Sequence, residues 1–387
     1  MRAYTFSLLL ALSCLTISPT LSSGEIPTDY SQQMKPATIK VLIADKAEGA
    51  ILEVKGRYDI FNPQTQLPIT SGIFSKRAPI YAHGEGIKWD DSFPYINQMR
   101  IVPTNAESSI LVNGIEYRGC IEIYNLDGVI SIVNEVDIEN YLKSTLTIEL
   151  SPISDPKVLE AVVVVARTNA YYLATRSAQA QWHVKAEESN YLGYGVTLQR
   201  LNLDRAIENT KHLIMTYKNQ PFAATWTEDS AGRTSTYASI FRKQVVVPHG
   251  VVAPLAAKDR ERHHWMVTMT KQEFSHLLGF SKISTIIPYL DQPSEKTYAI
   301  RVSDGILTQD IDFFSLQKKL GAHRILSNDF EIQIKGDKVI FKGFGQGHGV
   351  GLCLYSAEKM AQKGDSPAKI LSYFFPDSKV QNLRNQL

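Results

Sequence analysis

One carboxyl group in this sequence occupies a position where carboxyl groups are uncommon. Glu149 lies three residues beyond Leu146 and seven beyond Leu142, so in a helix it shares their apolar face. It also falls in the last turn of that predicted helix, where the partial negative charge of the helix end disfavours a carboxylate. Burial and this dipole both raise a carboxyl pKa, and a carboxyl group that is protonated near neutral pH can act as a general acid. The alternative is a glutamate that reaches water at a frayed helix end.

Arg167 is a second charged residue at a predicted buried position. It shares a helix face with Leu159 and Val163. A buried guanidinium needs anionic partners, which are either protein carboxylates and carbonyls or a ligand. Arg167 is twelve residues past Asp155 and therefore roughly 18 Å along its own helix, so direct pairing with Glu149 is not expected. Either kind of partner fits the sequence.

Two glycine-containing segments are candidate ligand-facing turns. The first is Asp229–Thr234, DSAGRT, in which small residues and an arginine follow a predicted strand. It lacks the G-x-S-x-G pattern of a nucleophile elbow, and a plain turn is the alternative. The second is Gly343–Ala357, GFGQGHGVGLCLYSA, which matches no nucleotide-phosphate motif. Its glycines predict a backbone that approaches something closely near a helix start, with His348 held neutral by the helix dipole; a tight turn is again the alternative.

Two predicted helices must position these groups. Asp137 is a suitable N-cap for the first helix, and Ser151-Pro152 is expected to end it. Asp155 or Ser154 caps the second helix, which has Pro156 at its first position and extends to about Thr175. That helix is apolar nearly all round, which predicts a place in the middle of the protein.

Before these helices the chain reads as short strands. Asn113-Gly114 is a strong hairpin signal, and Asn125–Gly128 is a second turn. The predicted strands are Ile39–Ile43, Ile51–Val54, Ile110–Ile115, Gly119–Tyr124 and Val129–Val133. We therefore expect an α+β protein in which a short-strand β scaffold packs on a buried helical hairpin, followed by a mixed α/β part. The expected divisions are 1–23 for a signal peptide, 24–135 for the β-rich region and 136–387 for the part that carries the chemistry.

Composition excludes some classes of protein. The chain has 387 residues, of which 44% are hydrophobic and 21% are charged, as in a soluble globular protein. A formal net charge of +2 argues against a dedicated nucleic-acid binder, which would need a strongly basic surface.

The N-terminus has the layout of a secretory signal peptide. Arg2 precedes the apolar run Phe6–Ile17, which is too short for a membrane span, and cleavage is expected after Ser22 or Ser23. Cys14 leaves a lipoprotein as the alternative. The sequence therefore predicts export to the periplasm or cell envelope.

Two cysteines, Cys120 and Cys353, remain after that cleavage. An exported protein can form a disulfide, but residues so far apart in sequence need not meet. Two buried thiols are the simpler expectation.

Four separated segments resemble one family. YLKSTLTIELSP, VLEAVVVVARTNAYYL, TWTEDSAGRTS and GFGQGHGVGLCLYSAEKMAQKG resemble, in order and spacing, the SpoIID/LytB family of a sporulation peptidoglycan hydrolase and amidase enhancers. The resemblance runs from about Glu116 to the C-terminus.

The resemblance implies a lytic transglycosylase that cuts the MurNAc-GlcNAc bond of glycan strands stripped of stem peptides. Glu149 would be the catalytic residue and the products would end in 1,6-anhydro-MurNAc, with no second carboxylate required. The partners implied are peptidoglycan glycan strands, an N-acetylmuramoyl-L-alanine amidase and other cell-wall division proteins, with no nucleic acid and no cofactor. The family's binding motifs fall on Arg167, Ser230, Gly232, Arg233, His348 and Tyr355.

The chain departs from the family pattern at several positions. Some members carry a Cys/His cluster suited to zinc, whereas here that region has only His183, so we expect no metal site. Cys353-Leu354 replaces a usual Ser-Gln pair and Ala231 replaces a usual glycine, which puts fine substrate contacts in doubt. Two other functions stay open: a glycan-binding enhancer of an amidase that cuts nothing, and a muramidase that uses water.

A stripped muramyl residue exposes a lactyl carboxylate. We hypothesise that Arg233, Arg167 or the helix start near His348 binds it.

Overall fold

The computed structural model describes residues 38–105, 108–194 and 201–386. The predicted signal peptide, with Cys14 and the cleavage position, lies outside the described residues. Within them, helices and several sheets are mixed, so the predicted α+β class is confirmed. No helix of the described part is both long enough and apolar enough to cross a membrane.

The first half of the chain forms two sheets. Its strands are β1 Thr38–Ala47, β2 Ala50–Lys55, β3 Tyr58–Phe61, β4 Pro68–Gly72, β5 Lys76–His83, β6 Gly86–Trp89, β7 Asp91–Phe93, β8 Gln98–Pro103, β9 Ser109–Val112, β10 Ile115–Tyr117, β11 Cys120–Leu126 and β12 Val129–Asp137. A later strand, β13 Val184–Lys185, completes the first sheet, with order β13-β1-β12-β11-β8-β3-β4. The second sheet has the order β10-β9-β2-β5-β6-β7.

The predicted hairpin turns are confirmed. Asn113 and Gly114 join β9 to β10 with φ of 50° and 83°, and Asp127 and Gly128 join β11 to β12 with φ of 56° and 86°. Positive φ at both central residues is what this two-residue turn requires. The six strands β3 to β8 were not predicted. In β4 every residue is exposed or half-buried, so no hydrophobic alternation marks it in the sequence.

The two predicted helices are confirmed as α1 Ile138–Glu149 and α2 Pro156–Arg176. The Asp137 carboxylate accepts hydrogen bonds from the backbone N–H groups of Glu139 and Asn140 at the start of α1. Asp155 caps α2 in the same way, with Pro156 in the first turn. The two caps and the Ser-Pro break therefore determine where both helices begin and where α1 ends.

The remaining elements follow in chain order. They are α3 Leu201–Asn209, β14 Leu213–Thr216, β15 Trp226–Thr227, α4 Tyr237–Phe241, α5 Pro254–Lys258, β16 His264–Thr270, α6 Lys271–Leu278, β17 Thr285–Asp291, β18 Lys296–Ser303, β19 Thr308–Asp312, α7 Phe313–Leu320, β20 Phe330–Lys335, β21 Lys338–Phe344, β22 Leu352–Cys353, α8 Leu354–Gln362, α9 Pro367–Phe374 and β23 Lys379–Asn382. A 3₁₀ turn, Arg260–His263, precedes β16.

Two large hydrophobic cores, and a small cluster of Leu42, Tyr124 and Val133, hold the described residues together. The larger one joins the two N-terminal sheets to α1, α2, α8 and α9, with most of α2 fully buried inside it. The smaller one belongs to β16–β21 with α6 and α7. Because α2 is buried in the larger core and α1 packs in the same core, the close packing fixes the position of α1 and of Glu149 at its C-terminal end.

The two glycine-containing motifs meet in a small sheet. β15 pairs in parallel with β22, and Asp229 forms a further bridge to Gln346. A Cβ atom on Gly351 would collide with the carbonyl oxygen of Thr225, and one on Gly345 would lie 2.5 Å from the carbonyl oxygen of Asp229. The close approach predicted for this loop is therefore an approach to another strand of the same chain.

Both cysteines of the described chain are buried free thiols, as the simpler expectation had it. Cys120 lies in β11 and Cys353 in β22.

Candidate active site

A cleft of about 370 Å³ opens between α1, α2 and the strand before the first turn motif. Glu149 lines it from the end of α1, and His348 lines it from the glycine-rich loop. Thr225 and Trp226 line the cleft from β15 and the residue before it. The fold therefore brings the predicted acid and the predicted histidine, which are far apart in sequence, to one cavity.

Glu149 lies at the mouth of this cleft and is exposed. The prediction that it is buried with Leu142 and Leu146 is wrong, because those two side chains and the following Leu150 are in the core whereas Glu149 is exposed. Its pKa is nevertheless raised, first because protein atoms of the cleft displace water and second because of the negative charge of Glu228. The direction needed for a general acid is thus present, and part of its cause is a second carboxylate.

Glu228 is the functional candidate that the sequence reasoning missed. In β15 the Thr227 hydroxyl faces the glycine-rich loop, donating to Gln346 O at 3.1 Å and accepting from Gly349 N at 3.1 Å. Trp226 of the same strand lines the cleft. A Cβ on Gly347 would collide with the Glu228 carboxylate, which therefore lies against the loop beside His348. No pattern in the sequence singled out Glu228, because its approach to the loop depends on the pairing of β15 with β22.

His348 is a neutral ring whose hydrogen bonds indicate one tautomer. The backbone N–H of Val350 donates to its Nδ1 at 3.1 Å, so the ring proton is on Nε2, which is 3.4 Å from the Thr225 hydroxyl. Burial lowers its pKa to about 4, and the Lys296 charge acts in the same direction. The neutral state was predicted, but from a helix dipole. Since α8 begins only at Leu354, burial is the cause instead.

Arg167 does not reach the cleft. It is fully buried, and its Nε and Nη2 donate to the Glu139 carboxylate at 2.9 and 2.7 Å. The remaining donors bond to Thr210 Oγ1 and to the carbonyls of Ile207 and Leu213, at 3.2 to 3.3 Å. The prediction that Arg167 binds substrate is therefore wrong. The alternative is correct, because protein carboxylates and carbonyls are its partners. Its role is to lock α1 and α2 to the segment 207–213.

The first turn motif is also set apart from the cleft. Ser230 is fully buried, its N–H donates to Cys353 Sγ at 3.3 Å and its carbonyl accepts from Lys296 Nζ. Gly232 and the exposed Arg233 line a different cavity of about 1050 Å³, beside β18 and β21. A contact of Ser230 with glycan is thus ruled out by burial, and Arg233 belongs to another surface than Glu149.

Tyr355 is likewise outside the cleft. Its hydroxyl donates to Asp259 at 2.6 Å, which raises its pKa to about 12. Its ring is 4.7 Å from the ring of His263, whose Nδ1 bonds to Asp229. The segment Lys258–His264, which contains the 3₁₀ turn, therefore contacts the first motif.

No group of three His, Cys, Asp or Glu side chains in the described ranges is arranged to hold a metal ion.

Comparison with known proteins gives one family match and several relatives. Residues 127–217 match the model of the SpoIID family, described as stage II sporulation protein. An uncharacterized protein of Chlamydia pneumoniae is 36% identical over 179 residues, which are 46% of this chain and 65% of that protein. Stage II sporulation protein D of Bacillus subtilis is 24% identical over 64% of this chain and 75% of its own length. An amidase enhancer of Bacillus subtilis is 24% identical over 73% of this chain and 46% of its own. This chain thus spans just under two thirds of the Chlamydia relative.

Proposed function

We propose that this chain, a member of the SpoIID/LytB family, acts on the cell wall as a peptidoglycan lytic transglycosylase. It cleaves the MurNAc-GlcNAc bond of glycan strands that lack stem peptides, and Glu149 is the general acid and base. The observation that carries the proposal is that Glu149, with a raised pKa, shares one cleft with the neutral, Nε2-protonated His348. The proposal includes export to the periplasm or cell envelope, where this substrate is found.

The chemistry needs one proton that moves twice. Glu149 gives its proton to the glycosidic oxygen as the bond from that oxygen to C1 of MurNAc breaks. The 6-hydroxyl of the same sugar then attacks C1 and returns its proton to the Glu149 carboxylate. The product has a 1,6-anhydro ring, no water is consumed and the acid is regenerated.

The neighbouring groups have separate roles. Glu228 raises the pKa of Glu149 through its negative charge, so that more of the acid is protonated near neutral pH. His348 offers its Nε2–H to an oxygen of the bound sugar without carrying a charge of its own. Arg167 acts through Glu139 by holding α1, and is therefore a positioning residue.

A hydrolytic muramidase is the second candidate, and Glu228 is the observation that favours it. Hydrolases of this kind use two carboxyl groups, one as the acid and one as the base or nucleophile. Mass spectrometry of the product ends separates the two reactions. Hydrolysis leaves reducing ends, whereas transglycosylation leaves anhydro ends.

A third candidate comes from the similarity to an amidase enhancer, which favours glycan binding without cleavage. The decisive experiment uses purified protein on amidase-denuded glycan, comparing wild type, Glu149→Gln and the exposed, remote Glu48→Gln. We expect soluble anhydro-muramyl products from wild type and Glu48→Gln, and none from Glu149→Gln. Binding without products from wild type would contradict the enzyme and support the enhancer, with an N-acetylmuramoyl-L-alanine amidase or other division proteins as partners.

A further inference from the structure

A second groove, of about 760 Å³, lies at the C-terminal end of α2. Three cationic side chains line it, Arg176, Lys218 and Lys243, together with the rings of Tyr172 and Tyr217. No carboxylate of the described residues lines it. Its charge is therefore of one sign, in a chain whose overall charge is nearly balanced.

The three cations are available to a ligand. All three side chains are exposed, and among the described residues none forms a salt bridge with a carboxylate. Arg176 donates to the Tyr172 hydroxyl at 3.2 Å and Lys218 lies 5.6 Å from the centre of the Tyr217 ring. These are contacts with neutral groups, so the charges are not neutralised within the protein.

This groove lies beside the cleft that contains Glu149, since Tyr237 of the cleft is close enough to Tyr172 and Arg176 of the groove for their charges to act on its pKa. Leu173 of α2 lines the cleft, and its chain neighbour Tyr172 lines the groove. On the other wall Phe241 of α4 lines the cleft, and Lys243 lines the groove two residues later. Along α2, Arg176 is about 10 Å from Asn169 in the cleft. A saccharide chain that occupies the cleft and extends along α2 can therefore approach Arg176.

We propose that this cationic groove is a distal subsite that binds a free lactyl carboxylate of the glycan strand. This inference rests on the proposed function, and the free lactyl carboxylate is the feature by which the protein would select its substrate. In a strand with stem peptides each lactyl carboxyl is part of an amide and carries no charge, whereas a stripped strand presents an anion on every muramyl sugar. Arg167 cannot provide this contact because Glu139 occupies it, and Arg233 lines a different cavity. The aromatic rings beside the cations supply faces on which sugar rings pack.

The test measures binding of denuded glycan strands to the full chain carrying Glu149→Gln, so that substrate is not consumed. Arg176→Gln, Lys218→Gln and Lys243→Gln are combined in one variant. The control variant carries the same change in charge at three exposed lysines of α7 and β20, which belong to the smaller core: Lys318→Gln, Lys319→Gln and Lys335→Gln. An exposed ion pair contributes a few-fold in affinity, so the groove variant should bind about fivefold to twentyfold more weakly. The control variant should bind as the parent does.

A second arm changes the ligand and leaves the protein intact. Strands whose lactyl carboxylates are coupled to methylamine should lose affinity for the parent by the same factor, and the groove variant should not distinguish them from untreated strands. Equal binding of both strands by the parent, or an equal loss in the control variant, would overturn the inference. So would displacement of denuded strands by a glycerol phosphate polymer at lower concentration than by free strands, because the site would then be a phosphate site.

The inference and the proposed function fail separately. If the groove variant binds weakly but wild type releases no products, the subsite stands and the enzyme does not. If wild type releases anhydro products equally fast from untreated and amidated strands, the enzyme stands and the subsite does not.

Discussion

Replacement of Glu228 by glutamine tests whether the second carboxylate keeps Glu149 protonated. The two side chains are isosteric, so the contact against Gly347 is retained while the negative charge is removed. Only the protonated form of Glu149 can start the reaction, so activity falls as pH rises through its pKa. That pKa is raised in part by Glu228. The variant should therefore lose activity at a lower pH than wild type does.

The magnitude follows from the exposure of both groups. Glu149 and Glu228 are exposed, so water screens their interaction, and two unit charges in water repel by at most about 1 kcal/mol at contact distances. Such an energy changes a proton-binding equilibrium by about fivefold. We expect kcat/KM of Glu228→Gln to be about twofold to fivefold below wild type on the alkaline side, and equal to wild type on the acidic plateau.

The assay measures the release of soluble anhydro-muramyl products from denuded glycan, and kcat/KM is determined from pH 4 to pH 9. Glu188→Gln is the matched control, since Glu188 is an exposed carboxylate that lines the same cleft but does not contribute to the pKa of Glu149. Its alkaline limb should lie where that of wild type lies. A uniform loss at all pH values in Glu228→Gln would refute the reasoning and would place Glu228 in the chemical step, as the muramidase alternative requires.

Arg167, His348 and Gly351 give three further predictions. Arg167→Met should destabilise the fold by about 3–5 kcal/mol in denaturant unfolding, because Glu139 is left without its partner, and adding Glu139→Gln should recover part of the loss. The His348 ring should stay neutral in an NMR titration down to about pH 4. Its unfolded form takes up a proton at a higher pH, so this group's contribution to stability should be lost as pH falls from 6.5 towards 4, and a flat profile would contradict the burial argument. Gly351→Ala should cost about 1–3 kcal/mol in thermal unfolding, because its φ is 81° and the new Cβ would meet the Thr225 carbonyl; a neutral substitution would mean that the loop can move away.

Local patterns were sufficient for the central helices, the hairpin turns and the resemblance. Asp137, Asp155 and Pro156 act within one turn of where they stand, so their effect is visible in the sequence. The resemblance inferred from four motifs is confirmed by the family match and by the relatives. In contrast, β4 went unpredicted because all its residues are exposed or half-buried and carry no hydrophobic alternation. The strands β3 and β8 do alternate between buried and half-buried residues and were missed all the same.

Periodicity placed Glu149 on the apolar face of α1. Only the tertiary structure determined which residues of that face are buried, and the prediction that Glu149 is buried was therefore wrong. The same structure decided that Arg167 pairs with Glu139 and that Ser230 is sealed in the core. It also placed Glu228 beside His348 through the pairing of β15 with β22, two segments far apart in sequence. Spacing along a chain determines which side chains share a helix or strand face, because that depends on the backbone repeat alone. Which faces meet depends on long-range packing and pairing, and a charge acquires its partner, its solvent exposure and its pKa only there.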